Sequence, residues 1–430
     1  MQLTTLQPRP TSAGPAGALA WGGIRDLGAM LLQGREGLLR DEDGKDWLPP
    51  ISTAGLYKLL ELAFYASMMP EEGRFPPFTL VNAEDDWRVI TVFDPPIPVE
   101  SVETLRRLAP SCKIPDCALW IVEQQEFLWC NGIVDIGPRG CDKQPGYFGV
   151  SAVGRAPSLV VQVHGPGHII AGETDIYEFR AGRIRQVVPF QLVPAVQSLA
   201  ADLARTLVQQ GLATEGQEAR RFGAEWSFQQ FVHRALSRTL QLAMDKRHGG
   251  TFVILPTSSS DFTAFHLATR YKATSLDIGA AILDLWKACV HAGRLRDQVG
   301  YSSAVAICHR YEAQLWTKVD VLANLSAVDG CVILNRSLQL CGFGAEIQVA
   351  DDEARTTPRH FRTWDSQDVI DYELFMQYIG GTRHRSAARL CQVHDGMITL
   401  VVSQDGELRI FCTDGDVYGF GPLDTTFSGF

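Results

Sequence analysis

Short apolar runs, each ended by glycine, proline or aspartate, fill the segment between Phe78 and Phe190. Runs of this length are typical of β-strands. They give way to longer segments, Val193–Gln210 and Glu225–Lys246, in which Leu, Ala and Val recur every three or four positions. That spacing is typical of amphipathic helices. The change of period predicts a β-rich α+β domain followed by a domain of different architecture.

Helical and strand-like patterns alternate in the second half of the chain. We predict, in order, strand Thr251–Leu255, helix Leu276–Ala292, helix Ala304–Ser326, strands Gly330–Asn335 and Leu338–Glu346, helix His384–Gln392, and strands Met397–Ser403 and Leu408–Cys412. Alternation of this kind implies a mixed sheet flanked by helices, an α/β layer.

The first half reads differently. Apolar residues at helical spacing predict a helix over Thr53–Met69, which Pro70 ends. Strands are predicted at Trp87–Phe93, Ala118–Glu123, Glu126–Val134, Leu159–Val163, His168–Ala171, Ile176–Phe179 and Arg183–Val188, the last two joined by a hairpin turn. The predicted organisation is a flexible segment at 1–23, a separate domain at 24–190, a helical linker at 191–224, a second domain at 225–417 and a tail at 418–430.

Composition limits the function. The net charge of −10 argues against a nucleic-acid polymer as partner, because binding to a phosphate backbone needs a broad basic surface. The longest apolar runs, such as Ala118–Val122, are far shorter than the roughly 20 residues that span a bilayer. Gln2–Gly17 lacks the pattern of a secretory signal, so we expect a cytoplasmic protein without a membrane partner. The ten cysteines form no C-x-x-C pair, although Cys112 and Cys117 are close enough for a redox or metal role.

Three short segments carry the residues suited to chemistry. In the first, Asp329 and Gly330 precede an apolar run that begins at Cys331. An aspartate here can bind a hard cation or accept a proton, and a glycine lets the backbone approach a ligand. The same residues are also those of an ordinary turn.

The second segment is Gly381-Thr382-Arg383-His384-Arg385, which places two guanidinium groups, an imidazole and a hydroxyl together where a helix is predicted to begin. Arginine offers a planar fork of donors to phosphate oxygens, and a helix N-terminus adds free N–H groups. We interpret the segment as a phosphate clamp, with Arg389 as a further cation; a solvated basic turn is the alternative.

The third segment is the strand end Val402-Ser403-Gln404-Asp405, where Ser403 is a candidate phosphate or ribose contact. Together, the three segments resemble the catalytic domain of the diadenylate cyclases, which carries an Asp-Gly-Ala motif, a Gly-Thr-Arg-His-Arg motif and a Val-Ser-Glu-Glu-like strand end. Cys331 stands in place of the alanine, and Gln404-Asp405 in place of the acidic pair. The resemblance covers roughly 225–417, and the preceding part is similar to the sensor domains of such cyclases, including the type called DACNV.

The resemblance implies a metal-dependent nucleotidyltransferase that condenses two ATP molecules into cyclic di-AMP, with release of pyrophosphate. Asp329 would bind the divalent metal, which the sequence leaves open among magnesium, manganese and cobalt. Gly330, Cys331 and Gly381 would line the ATP pocket. Thr382, Arg383, His384 and Arg385 would hold the phosphates, with Ser403 as an added contact. Because one site holds one ATP, the active form would be a homo-oligomer with face-to-face cyclase domains.

Two other interpretations remain at this point. In one, the second domain binds ATP or cyclic di-AMP without turnover, as a signalling module; retention of Asp329 favours the enzyme. An interaction protein with an incidental basic turn would leave the second segment unexplained. For the first domain, the alternatives are sensing of an unknown small ligand, for which Gly165–His168 is a candidate loop, and a structural dimer platform.

Overall fold

The computed structural model describes residues 20–21, 23–35, 51–75, 77–82, 88–112, 117–135, 159–173, 176–189, 193–209, 224–257, 261–295, 299–363 and 366–424. These residues form two mixed β-sheets, each flanked by helices. This agrees with the predicted combination of α/β and α+β layers. None of the helices in the described ranges combines the length and the apolar character needed to cross a membrane.

The first sheet, called the N-terminal sheet, runs in the order β3-β5-β4-β2-β6-β7-β8-β9-β1. Its strands are β1 (Ala20–Trp21), β2 (Phe78–Asn82), β3 (Arg88–Pro98), β4 (Cys117–Gln124), β5 (Phe127–Asp135), β6 (Leu159–Gly165), β7 (His168–Gly172), β8 (Ile176–Arg180) and β9 (Arg183–Pro189). Among the described pairings between strands of this sheet, only β2 with β4 is parallel. The predicted strands are all present, and β2 is an addition.

Helices α1 (Ile24–Arg35), α2 (Thr53–Ser67) and α3 (Val102–Leu108) cover this sheet. Ser52 caps α2 by accepting a hydrogen bond from the Gly55 N–H at 3.0 Å. Leucines at helical spacing on α2, among them Leu56 and Leu59, are fully buried against the sheet. The predicted hairpin between β8 and β9 is confirmed, because Ala181 and Gly182 both have positive φ, as a tight two-residue turn requires.

The second sheet, called the C-terminal sheet, runs in the order β11-β13-β12-β10-β16-β17-β18-β14-β15. Its strands are β10 (Gly250–Ile254), β11 (Leu267–Lys272), β12 (Cys331–Leu334), β13 (Leu340–Ile347), β14 (Phe361–Thr363), β15 (Ser366–Ile370), β16 (Ile398–Val402), β17 (Leu408–Asp414) and β18 (Asp416–Asp424). Strand β10 lies in the centre, parallel to β12 and antiparallel to β16.

Helices cover both faces of this sheet. They are α4 (Pro194–Gln209), α5 (Ala224–Asp245), α6 (Ile278–Arg294), α7 (Tyr301–Leu325), α8 (Asp351–Thr356), α9 (Tyr372–Tyr378) and α10 (Thr382–Val393). Phe252 and Ile254 of β10 pack with α4 to α7, whereas Val253 and Leu255 pack with α8 to α10. Because both faces are buried, the central strands are apolar throughout, which is why they were recognisable as continuous runs.

Two parts of the predicted organisation differ from the structure. Helix α4, in the predicted linker, buries Val196 and Leu199 in the same core as Phe231 of α5, so it belongs to the packed body of the second half; residues 210–223 lie outside the described ranges. The predicted tail from residue 418 contains most of β18, which pairs with β14 and β17. Residues 425–430, and the predicted flexible residues 1–19 and 22, also lie outside the described ranges.

The two sheets meet along one short ladder. Leu423 and Asp424 of β18 pair in parallel with Val188 and Pro189 of β9. The N-terminal and C-terminal sheets are therefore joined through backbone hydrogen bonds as well as through the chain itself.

Candidate functional site

The C-terminal sheet brings the three sequence segments to one edge, which is formed by the strand ends where β10 begins and β16 ends. Thr251 of β10 pairs with Cys331 of β12 on one side and with Val401 of β16 on the other. Strands lie about 4.8 Å apart, so the start of β12 and the end of β16 are separated by roughly 10 Å. Continuing the register by two residues brings Asp329 level with Gly249. The residues before β12 and after β16 therefore border one region.

The guanidinium of Arg383 lies at the same edge. A Cβ built on Gly249 would meet Nη1 of Arg383 at 2.9 Å, the Val402 carbonyl oxygen at 3.1 Å and the Gln404 nitrogen at 3.3 Å. Gly249 also has a φ of +68°, which favours glycine. Gly249 was not predicted from the sequence to belong to the site. The Gly249-Gly250 pair was interpreted only as the end of a helix.

Asp329 lies in the turn between α7 and β12 and is exposed. Among the described residues, no hydrogen bond or ion pair engages its carboxylate. A carboxylate that is exposed and uncompensated by a protein cation is free to bind a ligand or a metal ion. The structure thus leaves the predicted role of Asp329 available.

Gly330 and Cys331 are packed into the C-terminal sheet. A Cβ on Gly330 would lie 2.6 Å from the Gly344 carbonyl carbon and 2.7 Å from the Ala345 oxygen, and Gly330 has a φ of +112°. The Cys331 side chain is 2% exposed, and burial raises the pKa of its thiol to about 12. Of the predicted pocket contacts at these two positions, only backbone groups are available to a ligand.

The phosphate-clamp segment forms the N-terminus of α10. Gly381 is the N-cap and supplies no side chain to the free N–H groups of the first turn, while the Arg385 N–H donates to the Gly381 oxygen at 3.1 Å. Thr382, Arg383 and Arg385 are exposed. Within the described ranges, neither guanidinium has a hydrogen bond or an ion pair. Two unpaired cations therefore stand beside uncapped amides, an arrangement that favours an anion.

His384 was predicted to be one of the residues that hold the phosphates. Its side chain is buried, 9% exposed, with its ring 6.4 Å from the ring of Phe411. Burial, reinforced by the charges of Arg409 and Arg383, lowers the pKa of His384 to about 4. The imidazole is therefore neutral at physiological pH. Its Nε2 atom is buried without a hydrogen-bond partner among the described residues.

Arg389 also differs from its predicted place in the basic cluster. Its Nη2 atom lies 2.6 Å from Oδ1 of Asp351, and its Nε donates to the Tyr372 hydroxyl at 3.2 Å. These bonds tie α10 to α8 and α9. Arg389 is thus a structural ion-pair residue, and the clamp has two free cations.

Ser403 lies in the turn between β16 and β17, which we call the 403–407 turn. Its hydroxyl accepts a hydrogen bond from the Glu407 N–H at 3.0 Å, and its own N–H donates to the Glu407 oxygen at 2.8 Å. The hydroxyl proton remains able to donate to a ligand oxygen. Asp405, at the tip of the turn, is exposed.

An exposed aromatic side chain close to Asp329 escaped the sequence analysis. Tyr271 on β11 is 52% exposed and stacks on Phe343 with ring centroids 5.0 Å apart. A Cβ on Gly344 would lie 3.1 Å from the Tyr271 ring and 3.5 Å from the Asp329 carbonyl oxygen. The signal was weak because β11 is a polar edge strand that the apolar pattern does not reveal.

The residues present fit a substrate-borne metal rather than a closed protein site. No group of three or more His, Cys, Asp or Glu side chains suited to a metal occurs in the part of the chain that the structure describes. Mg²⁺ commonly binds through one or two carboxylates, with substrate phosphates and water as its other ligands. Asp329 beside a phosphate clamp meets that requirement.

Comparison with known proteins identifies part of the first half. Residues 47–135 match the family described as "Probable sensor domain DACNV". This is the N-terminal sensor of diadenylate cyclases. The match covers α2, α3 and β2 to β5 of the N-terminal sheet. It supports the predicted sensor domain, and it lies outside the segment that carries the three motifs.

The other comparisons add little. No curated protein matches the chain. A solved structure described as a hypothetical membrane spanning protein from Bacillus cereus is 12% identical and covers 53% of this chain and 92% of that chain, with a TM-score of 0.25. A TM-score of that size does not establish a shared fold.

Proposed function

We propose that this chain is a diadenylate cyclase that condenses two ATP molecules into cyclic di-AMP and two pyrophosphates. One observation carries the proposal: Asp329, Arg383 and the uncapped N-terminus of α10 lie at one edge of the C-terminal sheet. The match of residues 47–135 to a sensor family of such cyclases supports it independently.

Each residue has a definite part in the proposed reaction. Arg383, Arg385 and the first-turn amides of α10 hold the phosphate oxygens, and the Ser403 hydroxyl donates one further hydrogen bond. Asp329 would hold a magnesium, manganese or cobalt ion. The bound ion would supply neutralisation of oxygen charge and orientation of the reacting groups.

The chemistry needs little more than in-line positioning. The 3′-hydroxyl oxygen of each ATP attacks the α-phosphorus of the other, so that two phosphodiester bonds form and two α–β phosphoanhydride bonds break. Two pyrophosphates leave, and two protons are released. Since each site holds one ATP, two subunits must face each other for both attacks to occur.

Neutral His384 acts in the proposal as a positioning residue. Its buried ring lies near Phe411 and supports the first turn of α10 from the core side. The Tyr271 face, close to Asp329, offers a stacking surface for adenine. In this proposal the buried His384 ring has a structural role, and the exposed Tyr271 ring has a ligand-binding role.

A nucleotide-binding module without turnover is the second candidate. It is favoured by the two guanidinium groups, Arg383 and Arg385, that have no partner among the described residues beside the uncapped amides of α10, since binding needs only this basic clamp. The two candidates differ in what the acid does: it is dispensable for binding and required for turnover.

The test compares ATP binding and product formation in three proteins. We expect Asp329→Asn to bind ATP, measured by calorimetry, while cyclic di-AMP formation with magnesium or manganese falls about 100-fold or more. Arg383→Gln should lose affinity as well. Binding that needs Arg383, without product from the unmodified chain under any of the three metals, would reject the enzyme in favour of the binding module.

The N-terminal sheet is proposed to regulate this activity in response to a small ligand. Its match to a sensor family and its backbone ladder to β18 support that role.

A further inference from the structure

A cavity of about 640 Å³ lies where the N-terminal sheet meets the C-terminal half. Its wall on one side comes from β6 to β9, and on the other from the C-terminal end of α5 and the 403–407 turn. The polar lining includes Arg180, Arg185, Arg247 and Glu407. Cavities of this size hold small organic ligands. Of the residues that line it, only Pro77 falls within residues 47–135, which match the sensor family.

The N-terminal wall is held by a buried ion cluster. Glu178, 4% exposed, accepts hydrogen bonds from His168 Nε2 at 2.7 Å and from Arg185 Nε. Burial alone would raise the pKa of Glu178, but these bonds outweigh it and lower the pKa to about 2. The carboxylate is therefore ionised and fixed, and Arg185 keeps a rigid position at the cavity wall.

Glu407 on the opposite wall is held much more loosely. Its carboxylate oxygens lie 3.9 Å from Arg180, 3.8 Å from Arg185 and 3.9 Å from Arg409. All three separations exceed hydrogen-bond length, so each contact is an ion pair without a directed bond. One carboxylate thus stands among three guanidinium groups and satisfies none of them fully.

We propose that this cavity is a binding site for a small anion, a carboxylate or a phosphate, which takes the place of the Glu407 carboxylate between Arg180 and Arg185. A mobile anion can approach to hydrogen-bond distance, which the tethered Glu407 does not reach. Arg247, which has no partner among the described residues, adds a third donor. Asp245 and Asp405 also line the cavity and oppose a second negative charge, so a compact anion with a single charged group is favoured.

Displacement of the Glu407 carboxylate would alter the phosphate site. This consequence rests on the proposed function. The Glu407 backbone makes two of the hydrogen bonds of the 403–407 turn, both to Ser403. Arg409, released from Glu407, is also the cation whose charge acts on His384. An anion in the cavity therefore changes the support of both Ser403 and the first turn of α10.

The test measures binding of inorganic phosphate, and separately of acetate, to the full chain by calorimetry. Because the clamp also attracts anions, all proteins carry Arg383→Gln and Arg385→Gln. We expect Glu407→Gln to tighten binding about fivefold, by removing the competing carboxylate, and Arg180→Gln to weaken it about fivefold. Glu61→Gln and Arg107→Gln remove exposed charges outside the cavity and should change nothing.

Equal affinities in the Glu407, Arg180 and control variants, or no binding of either anion in this background, would overturn the proposal. Anion binding is measured here without any assay of activity. Failure of the cyclase proposal would therefore not change the outcome of this test. Amide hydrogen exchange provides the second readout: a bound anion should speed exchange of the Ser403 and Glu407 amides. Unchanged exchange despite binding would overturn the coupling to the turn.

Discussion

Single glycines show how the site is built from steric constraints. Gly330 and Gly381 both belong to the motifs that pointed to nucleotide chemistry, yet their surroundings are opposite. Gly330 is surrounded by backbone of β13 at a positive φ, whereas a Cβ on Gly381 would meet no atom within 4 Å. The first glycine is required by the fold, whereas the surroundings of the second place no such demand on it.

This contrast gives a matched pair of variants. Gly330→Ala should lower the free energy of unfolding by about 2 kcal/mol or more, because both the positive φ and the backbone contacts oppose a methyl group. Gly381→Ala should cost no more than about 1 kcal/mol, because a Cβ there meets no atom and the only loss is that alanine is a poorer N-cap than glycine. Urea denaturation measures both, and equal effects of the two changes would contradict the backbone geometry described for Gly330.

The charge state of His384 is a second prediction at this scale. Its pKa in the folded chain lies below the ordinary value of 6.5, so the unfolded chain takes up the proton first as pH falls. The contribution of His384 to stability is therefore present above pH 6.5 and is lost between 6.5 and about 4. In a nucleotide-free NMR titration, the resonance that His384→Gln removes should keep its neutral position down to about pH 5. Titration near 6.5 would place the imidazole in solvent.

At the scale of elements, α10 presents two kinds of arginine on one helix. Arg383 and Arg385 are unpaired among the described residues, whereas Arg389 is bonded to Asp351 and Tyr372. Each of Arg383→Gln and Arg385→Gln should weaken ATP binding about tenfold, through loss of charge-assisted hydrogen bonds.

Arg389→Gln is the control for these variants. It should leave ATP affinity within about twofold while lowering thermal stability, because it breaks the tie between α10 and α8. Fluorescence titration with a labelled ATP analogue measures the affinities. An affinity loss for Arg389→Gln as large as for Arg383→Gln would show that the structure misassigns the free cations.

The sequence predicted the elements that are buried on one or both faces. The central strands β10, β12 and β16 were found because they are continuous apolar runs. Edge and interrupted strands were missed: β11 is largely polar, and Gly419, Gly421 and Pro422 interrupt β18. Short helices such as α8 are too brief to show a period.

The sequence named the residues of the candidate site but could not predict their geometry. The motifs named Asp329, Arg383 and Ser403, while the order of strands that brings them together depends on long-range pairing of β10 with β12 and β16. Composition could not predict the charge of His384 or the partner of Arg389. Burial keeps His384 neutral, and packing places Arg389 in a structural ion pair with Asp351. A sequence pattern lists ionisable groups, and only packing sets their charge and partners.

At the scale of the whole molecule, a segment that matches a sensor family and the proposed phosphate-binding edge of the C-terminal sheet belong to one continuous structure. The β9–β18 ladder connects the N-terminal sheet to the C-terminal sheet, and the ion pairs of Arg180 and Arg185 with Glu407 connect it to the 403–407 turn. The central claim is that the site at this edge of the C-terminal sheet converts ATP to cyclic di-AMP when two copies of the chain face each other.

The most direct measurement incubates the purified chain with ATP and magnesium or manganese, over a range of protein concentrations, and resolves the products by chromatography and mass. We predict cyclic di-AMP and pyrophosphate, formed at a rate that rises faster than the protein concentration while the subunits are still dissociated. ATP recovered unchanged at every concentration and with each metal, although it binds through Arg383 and Arg385, would contradict the claim.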